Sequence, residues 1–242
     1  KESRDISKKV SKSEIQNRVD LRKEIIVTID GKDSKDLDDA ISIKKITKNN
    51  KDIFELGVHI ADVANYVKEG SALNETAFER ATSTYLIDQV VPMLPEGLSN
   101  GICSLNPKED RLTLSCIMQI DKKGKVIDYN ICESVINTKF KLVYGDVSDI
   151  LENKKKDKYG MKKQFEIMQE LALILREKRH KRGTIDFDFA EPYIVLDDEG
   201  KPIDVKIRDR RIANKIIEEF MILANETVAE HYYWLNMPFV YR

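Results

Sequence analysis

The sequence is poor in several things that would announce a function. Among 242 residues there are three cysteines, Cys103, Cys116 and Cys132. They are scattered, odd in number and form no CxxC pair, which excludes a disulfide framework and gives no sign of a zinc site. Their scarcity fits a reducing, cytoplasmic compartment, and Cys116 is expected to be a core thiol. No apolar run reaches the roughly 18 residues that a membrane-spanning helix needs. The opening KESRDISKKVSKSE has no apolar h-region and no cleavage-site pattern, so no secretory signal is expected. The net charge is only −1, without the basic excess of many nucleic-acid-binding domains. The three histidines, His59, His180 and His231, stand without a partner pattern and read as structural. No repeat or low-complexity tract interrupts the chain.

What is present is enough for a substantial core: 41% of the residues are hydrophobic and 34% charged, in a length that suits one large domain or two small ones. The charge is uneven. Residues 30–39 are acidic, whereas KRHKR (178–182) and KIRDRR (206–211) are basic. The basic runs read either as solvated helix ends or as phosphate-binding patches.

Local patterns outline the elements. Residues 1–23 are polar and read as a linker or the tail of something upstream. EIIVTI (24–29), AISIKKI (40–46) and IFELGVHI (53–60) read as three strands, with a turn signal at KNNKD (48–52). Residues 71–83 have helical character, and PMLPEGLSNGICSLNP (92–107) is a loop apolar enough to be packed down. In RLTLSCIMQI (111–120), alternation places Leu112, Leu114, Cys116, Met118 and Ile120 on one face. DKKG (121–124) turns the chain into a partner strand at 126–136. Met161, Phe165, Met168, Leu171, Ala172 and Leu175 mark a helix that Gly183 ends. A hairpin follows at 193–207, then a long amphipathic helix through Ile212, Ile216, Phe220, Leu223, Thr227 and His231. The mixture is α+β or mixed α/β, with no clear internal domain boundary.

The chemistry concentrates in TIDGKDSKDLDDAI (28–41). Asp30, Asp33, Asp36, Asp38 and Asp39 fall within ten positions, answered by Lys32 and Lys35. Carboxylates this close repel unless protons, hydrogen bonds or cations intervene. Turn-shaping could account for Asp33 but not for five aspartates. No register satisfies a calcium-binding EF-hand loop. A solvated acidic loop fits poorly, because Asp38 and Asp39 run straight into an apolar strand. The functional reading that competes with these is a divalent-metal site for phosphoryl chemistry, since Mg²⁺ prefers oxygen ligands and keeps waters and substrate phosphate in its shell.

The segment TIDGKDSKDLDDAI resembles the catalytic signature of the ribonuclease II/ribonuclease R family of 3′→5′ exoribonucleases, above all its bacterial ribonuclease R branch. The likeness continues through HIADV (59–63), ATSTYLIDQVVPMLPEGLSNGICSLNP (81–107) and IIEEFMILAN (216–225). It implies an α+β, mixed α/β RNB-type catalytic domain: an antiparallel-rich sheet with packed long helices, spanning 24–242. Asp30, Asp36, Asp38 and Asp39 match the family's catalytic, metal-binding aspartates, and Asp33 falls outside that set. Tyr85 matches the tyrosine that packs against the 3′-terminal nucleotide, and Tyr144 resembles one that senses the ribose. Phe187 resembles the aromatic that clamps the last base. One of Glu218 and Glu219 matches the glutamate that contacts the terminal ribose. The cofactor implied is Mg²⁺, or Mn²⁺, and the partner is the 3′ end of single-stranded RNA.

The resemblance implies hydrolytic degradation of RNA to nucleoside 5′-monophosphates. Aromatic rings stack on bases without reading sequence, and the 2′-hydroxyl distinguishes RNA from DNA, so these residue types suit the task. The family's catalytic domain runs beyond PFVYR (238–242) and supplies an arginine there. Cold-shock domains and an S1 domain are likewise expected elsewhere in a full-length protein. Two other readings stay open: an RNA-binding or scaffold module that keeps the fold without cleaving, and a different two-metal nuclease or phosphatase. All four motif aspartates favour the enzyme, and the lack of a D-x-E signature at the acidic cluster, with the Tyr85 segment, favours this family over other nucleases.

Overall fold

The structure is a computed structural model that describes residues 6, 9–48, 51–87, 89–185 and 191–241. Its strands are β1 (Val19–Asp20), β2 (Val27–Asp30), β3 (Asp39–Lys48), β4 (Lys51–Ala61), β5 (Thr84–Tyr85), β6 (Val90–Val91), β7 (Asp110–Ile120), β8 (Val126–Asn137), β9 (Phe140–Val143), β10 (Pro192–Leu196) and β11 (Pro202–Ile207). The helices are α1 (Lys12–Ile15), α2 (Ala72–Arg80), α3 (Tyr144–Leu151), α4 (Lys162–Lys181) and α5 (Ile212–Trp234). Seven strands form one sheet in the order β1-β8-β7-β4-β3-β2-β9. It is mostly antiparallel, with β1–β8 and β2–β9 the parallel pairs. β5–β6 and β10–β11 are separate two-stranded ribbons.

Alternation along the central strands builds the core. Ile43, Leu56 and Met118 lie side by side across β3, β4 and β7, as do Ile41, Val58 and Cys116. These side chains are buried under α3, α4 and α5, whose Val147, Phe165, Leu171, Ile216 and Phe220 complete one apolar cluster. The long helices α4 and α5 each carry an apolar stripe at three- and four-residue steps, and burying each large side chain contributes roughly 1.5–3 kcal/mol. Gly183 follows α4 with φ +98°, a left-handed conformation that glycine adopts freely and that closes a helix C-terminus. Cys116 is a buried, free thiol in this core.

The other sheet face carries a second, smaller apolar cluster around Ala40, Ala61 and Ile136, and beside it a buried polar group. His59 sits between the hydroxyls of Ser42 (3.1 Å) and Ser115 (2.7 Å). Burial pushes its imidazole down to about 4, so it is neutral and structural near pH 7. A Cβ on Gly57 would lie 2.5 Å from Ser42 Oγ and 2.8 Å from His59 Nε2, so glycine is what admits this contact.

Three local expectations need correction. Residues read as linker enter the fold: Val19 and Asp20 pair with Ser134 and Val135, and Arg18 makes a buried ion pair with Asp62 at 2.5 Å. Leu114 shares one face with Cys116 and Met118, as the alternation predicts, but at 46% exposure it lies outside the buried core. The third concerns β9 and α3, which the sequence pattern did not show. A four-residue strand running straight into an eight-residue helix leaves too little periodicity for either to register.

Candidate active site

Strand topology brings the acidic residues together. Asp30 is the last residue of β2 and Asp39 the first of β3, and the two strands pair at Val27↔Ile41 below the turn. β9 runs parallel to β2 on its other side, with Asp30 opposite Val143. The next residue, Tyr144, opens α3 and is thereby delivered beside the turn.

The turn is held from beneath. Leu37 is 1% exposed and packs with Ile26, Ala40, Ala61, Leu105 and Ile136. An apolar anchor between Asp36 and Asp38 therefore fixes a segment that charge repulsion would otherwise splay. Ser104 buckles the backbone: its hydroxyl donates to the Lys35 carbonyl (2.8 Å) and accepts from the Leu37 N–H (3.1 Å). Arg111 Nε in turn donates to the Ser104 carbonyl at 2.7 Å. The Ala61 N–H donates to the Asp38 carbonyl at 2.9 Å, and Lys141 Nζ donates to the Ser34 carbonyl. The loop at 92–107 is packed down as expected, with Leu98 and Leu105 fully buried.

The electrostatics record unrelieved crowding. Burial, and then the charge of Asp39, pushes the Asp30 carboxyl up to about 7; Lys141 opposes this, while Asp36 and Asp38 add to it. Asp38 is raised by burial and by Asp36, and Asp39 by burial and by Asp38. Asp30 Oδ2 is buried without a hydrogen-bond partner. The Tyr144 hydroxyl is pushed up to about 12 by burial and by the nearby charges of Asp30 and Asp39. The Tyr85 hydroxyl donates to Asp36 Oδ2 at 3.1 Å. Asp33 is exposed.

Among the described residues, no three His, Cys, Asp or Glu side chains are grouped so as to hold an ion by themselves. The turn is therefore not a closed protein cage. The orphaned buried oxygen and the mutually raised carboxyls do fit a hard cation that keeps several waters and takes further oxygens from a substrate. Asp30, Asp36, Asp38 and Asp39 are the residues that would hold it.

The remaining site residues divide. Glu219 is 4% exposed and pairs with Arg179 at 2.8 Å, while Glu218 pairs with Arg210. Burial raises the Glu219 carboxyl, with Arg179 opposing and Glu218 adding to the rise. One Glu219 oxygen, Oε2, is buried without a partner. Phe187 lies outside the described residues. The basic runs are partly absorbed by the fold: Arg182 pairs with Glu226 (2.5 Å), and Arg211 with Asp149 (2.7 Å) and Glu152 (2.8 Å). Sequence reasoning missed Lys141 and Ser104. The packed, apolar character of 92–107 was the available signal for Ser104; a lone lysine in KLVYG offered none.

A mixed sheet with helices on one face and a strand-end carboxylate turn is the architecture of one established class. The chain belongs to the RNB domain family, which matches residues 18–242. A curated relative it resembles is Ribonuclease R of Thermotoga maritima, 50% identical over 245 residues, covering 100% of this chain and 34% of the relative. Among solved structures it resembles Mycoplasma genitalium RNase R in complex with ribose-methylated single-stranded RNA. There the TM-score is 0.90 at 34% identity, over 97% of this chain and 36% of that one. The same protein in complex with double-stranded RNA gives a TM-score of 0.91 at 34% identity, over 97% and 41% of the two chains. The fold alone is shared with yeast Ssd1, a pseudonuclease, at a TM-score of 0.70 and 20% identity over 93% of this chain and 27% of that one. The chain spans about a third of the length of the curated relatives it matches.

Proposed function

We propose that this chain is the carboxylate-bearing part of the catalytic unit of a magnesium-dependent, hydrolytic 3′→5′ exoribonuclease that releases nucleoside 5′-monophosphates. The observation that carries the reading is the turn itself. The turn that carries the four motif aspartates is fixed by Leu37, Ser104 and Lys141, with one buried oxygen of Asp30 left without a partner. A fold spends packing energy on uncompensated carboxylates chiefly where function needs them. Membership of a fold that also includes a pseudonuclease leaves the carboxylates as the feature that favours an enzyme over a scaffold.

A bound Mg²⁺ or Mn²⁺ would supply charge stabilisation at the scissile phosphate and a water of lowered pKa. The chain's own residues account for the rest. Asp30 and Asp39, at the facing ends of β2 and β3, would hold the cation from the strand ends. Asp36 and Asp38 extend that surface from the turn. Tyr85 is 66% exposed on its ribbon, so its ring is open to stack on the base of a 3′-terminal nucleotide. Stacking of this kind is sequence-tolerant, as degradation of any RNA demands. Tyr144 places a protonated hydroxyl beside Asp30 and Asp39, able to donate to a ribose or phosphate oxygen.

The test is calorimetric titration of Mn²⁺ into the chain and into its Asp30→Asn, Asp36→Asn, Asp38→Asn, Asp39→Asn quadruple variant, with incubation of the full-length protein with uniformly labelled single-stranded RNA. Binding confined to the parent, and chelator-sensitive release of nucleoside 5′-monophosphates, are expected. Equal heats in both proteins would remove the metal from the reading.

A further inference from the structure

Tyr85 carries two separable chemical groups, and stacking uses only one of them. Phenylalanine would stack as well, so the hydroxyl asks for its own explanation. It donates to Asp36 Oδ2 at 3.1 Å across 49 residues of sequence. The ribbon that carries it, β5–β6, is two residues wide on each strand, pairing Thr84 with Val91 and Tyr85 with Val90. At its base the ribbon is tied by the Met93 N–H to Ser83 Oγ (3.0 Å) and by Arg80 to the Pro92 carbonyl (2.6 Å). Beyond that base Leu86, Ile87, Val90 and Val91 are all about half or more exposed. The Tyr85–Asp36 bond is thus what joins the outer part of the ribbon, among the described residues, to the carboxylate turn.

We infer that the Tyr85 hydroxyl is a positioning group for Asp36, and that through it the nucleotide platform and the cation site are one mechanical unit. The inference rests on the metal reading above. The physical reason is geometric. A carboxylate on a loop has a freely turning side chain. A donor fixed on one oxygen orients the other and offsets part of the repulsion from Asp38 two residues away. Outer partners of this kind typically change metal affinity or activity by about 10–100-fold when removed. The ring, held at the same time, sets where the last base stops relative to the carboxylates.

The experiment separates hydroxyl from ring. Mn²⁺ is titrated calorimetrically into the chain and into its Tyr85→Phe and Tyr85→Ala variants. A short single-stranded RNA with 2-aminopurine at its 3′ end then reports stacking by fluorescence quenching. Both variants are expected to bind Mn²⁺ about tenfold more weakly than the parent, since both lack the hydroxyl. Quenching should persist in Tyr85→Phe and disappear in Tyr85→Ala. Combining Tyr85→Phe with Asp36→Asn should weaken Mn²⁺ binding no further than Asp36→Asn alone, because the two groups act through one bond. Tyr85→Phe binding Mn²⁺ as tightly as the parent would overturn the positioning role and leave the metal reading intact. A parent chain that takes up no Mn²⁺ would overturn both. Tyr85 is exposed, so neither variant is expected to compromise folding, and equal thermal transitions would verify it.

Discussion

Two clusters of charge in this molecule are handled in opposite ways. On α4, α5 and the segment preceding α5, acids and bases answer each other: Arg179 holds Glu219, Arg210 holds Glu218, and Arg211 holds Asp149 and Glu152. At the β2–β3 turn, Asp30, Asp38 and Asp39 are all driven above their ordinary range, and Lys141 only partly opposes the rise at Asp30. Charge neutralised inside a fold does structural work. Charge that the fold gathers and leaves uncompensated is poised for something from outside.

The comparison breaks most visibly if substitutions in the two clusters have the same effect. Asp38→Asn in the full-length protein should lower RNA degradation by on the order of a thousandfold, equivalent to about 4 kcal/mol of transition-state stabilisation, with RNA binding largely kept. Single-turnover kinetics beside a gel-shift titration would show this, and cleavage at the parent rate would remove Asp38 from the chemistry. Glu219→Ala should act on stability. It leaves Arg179 unpaired, at about 2–3 kcal/mol, below the roughly 3–5 of fully buried pairs because Arg179 still reaches water. Urea unfolding would measure it.

Asp30→Asn should move stability the other way. The folded carboxyl titrates at about 7 against an ordinary 3.8, so the unfolded chain releases this proton first. Its ionisation therefore erodes stability as pH rises from about 4 through about 7, and the penalty is complete above that. Without divalent cation at pH 8, the variant should be more stable by about 1–3 kcal/mol, the scale of one buried unsatisfied polar group. The difference should vanish below pH 4. Thermal melts across that range test the sign, and a variant less stable than the parent at pH 8 would contradict it. Asp33→Asn, at the exposed tip of the same turn, should alter stability by less than about 0.5 kcal/mol and leave Mn²⁺ binding unchanged. A large effect there would mean that crowding alone, not the placement of the four motif aspartates, governs the site.

Much of this was legible in the residues. Period-two alternation at 111–120 and three- and four-residue steps from Met161 to Leu175 are local signals, and the sheet and helices follow them. The aspartates announced themselves because five like charges in ten positions have few structural explanations. Tyr85 and Tyr144 were legible only through their motif surroundings, since a lone tyrosine carries no periodic signature. Lys141 and Ser104 were not legible, because what matters about them is a contact across 107 and 69 residues of chain.

By itself, the sequence determined which residues could do chemistry and which faces of the strands and helices would be buried, because both depend on side-chain type and local period. Only the tertiary structure decided that β9 lies parallel to β2 and sets Tyr144 beside Asp30, that Leu37 pins the turn, and that Tyr85 reaches Asp36. It also decided that Glu219 is buried with one oxygen on Arg179 and the other without a partner. Each of these is a choice among long-range pairings of similar local patterns. Such choices are settled by how the whole set of apolar faces can be buried at once, which no short window of sequence contains.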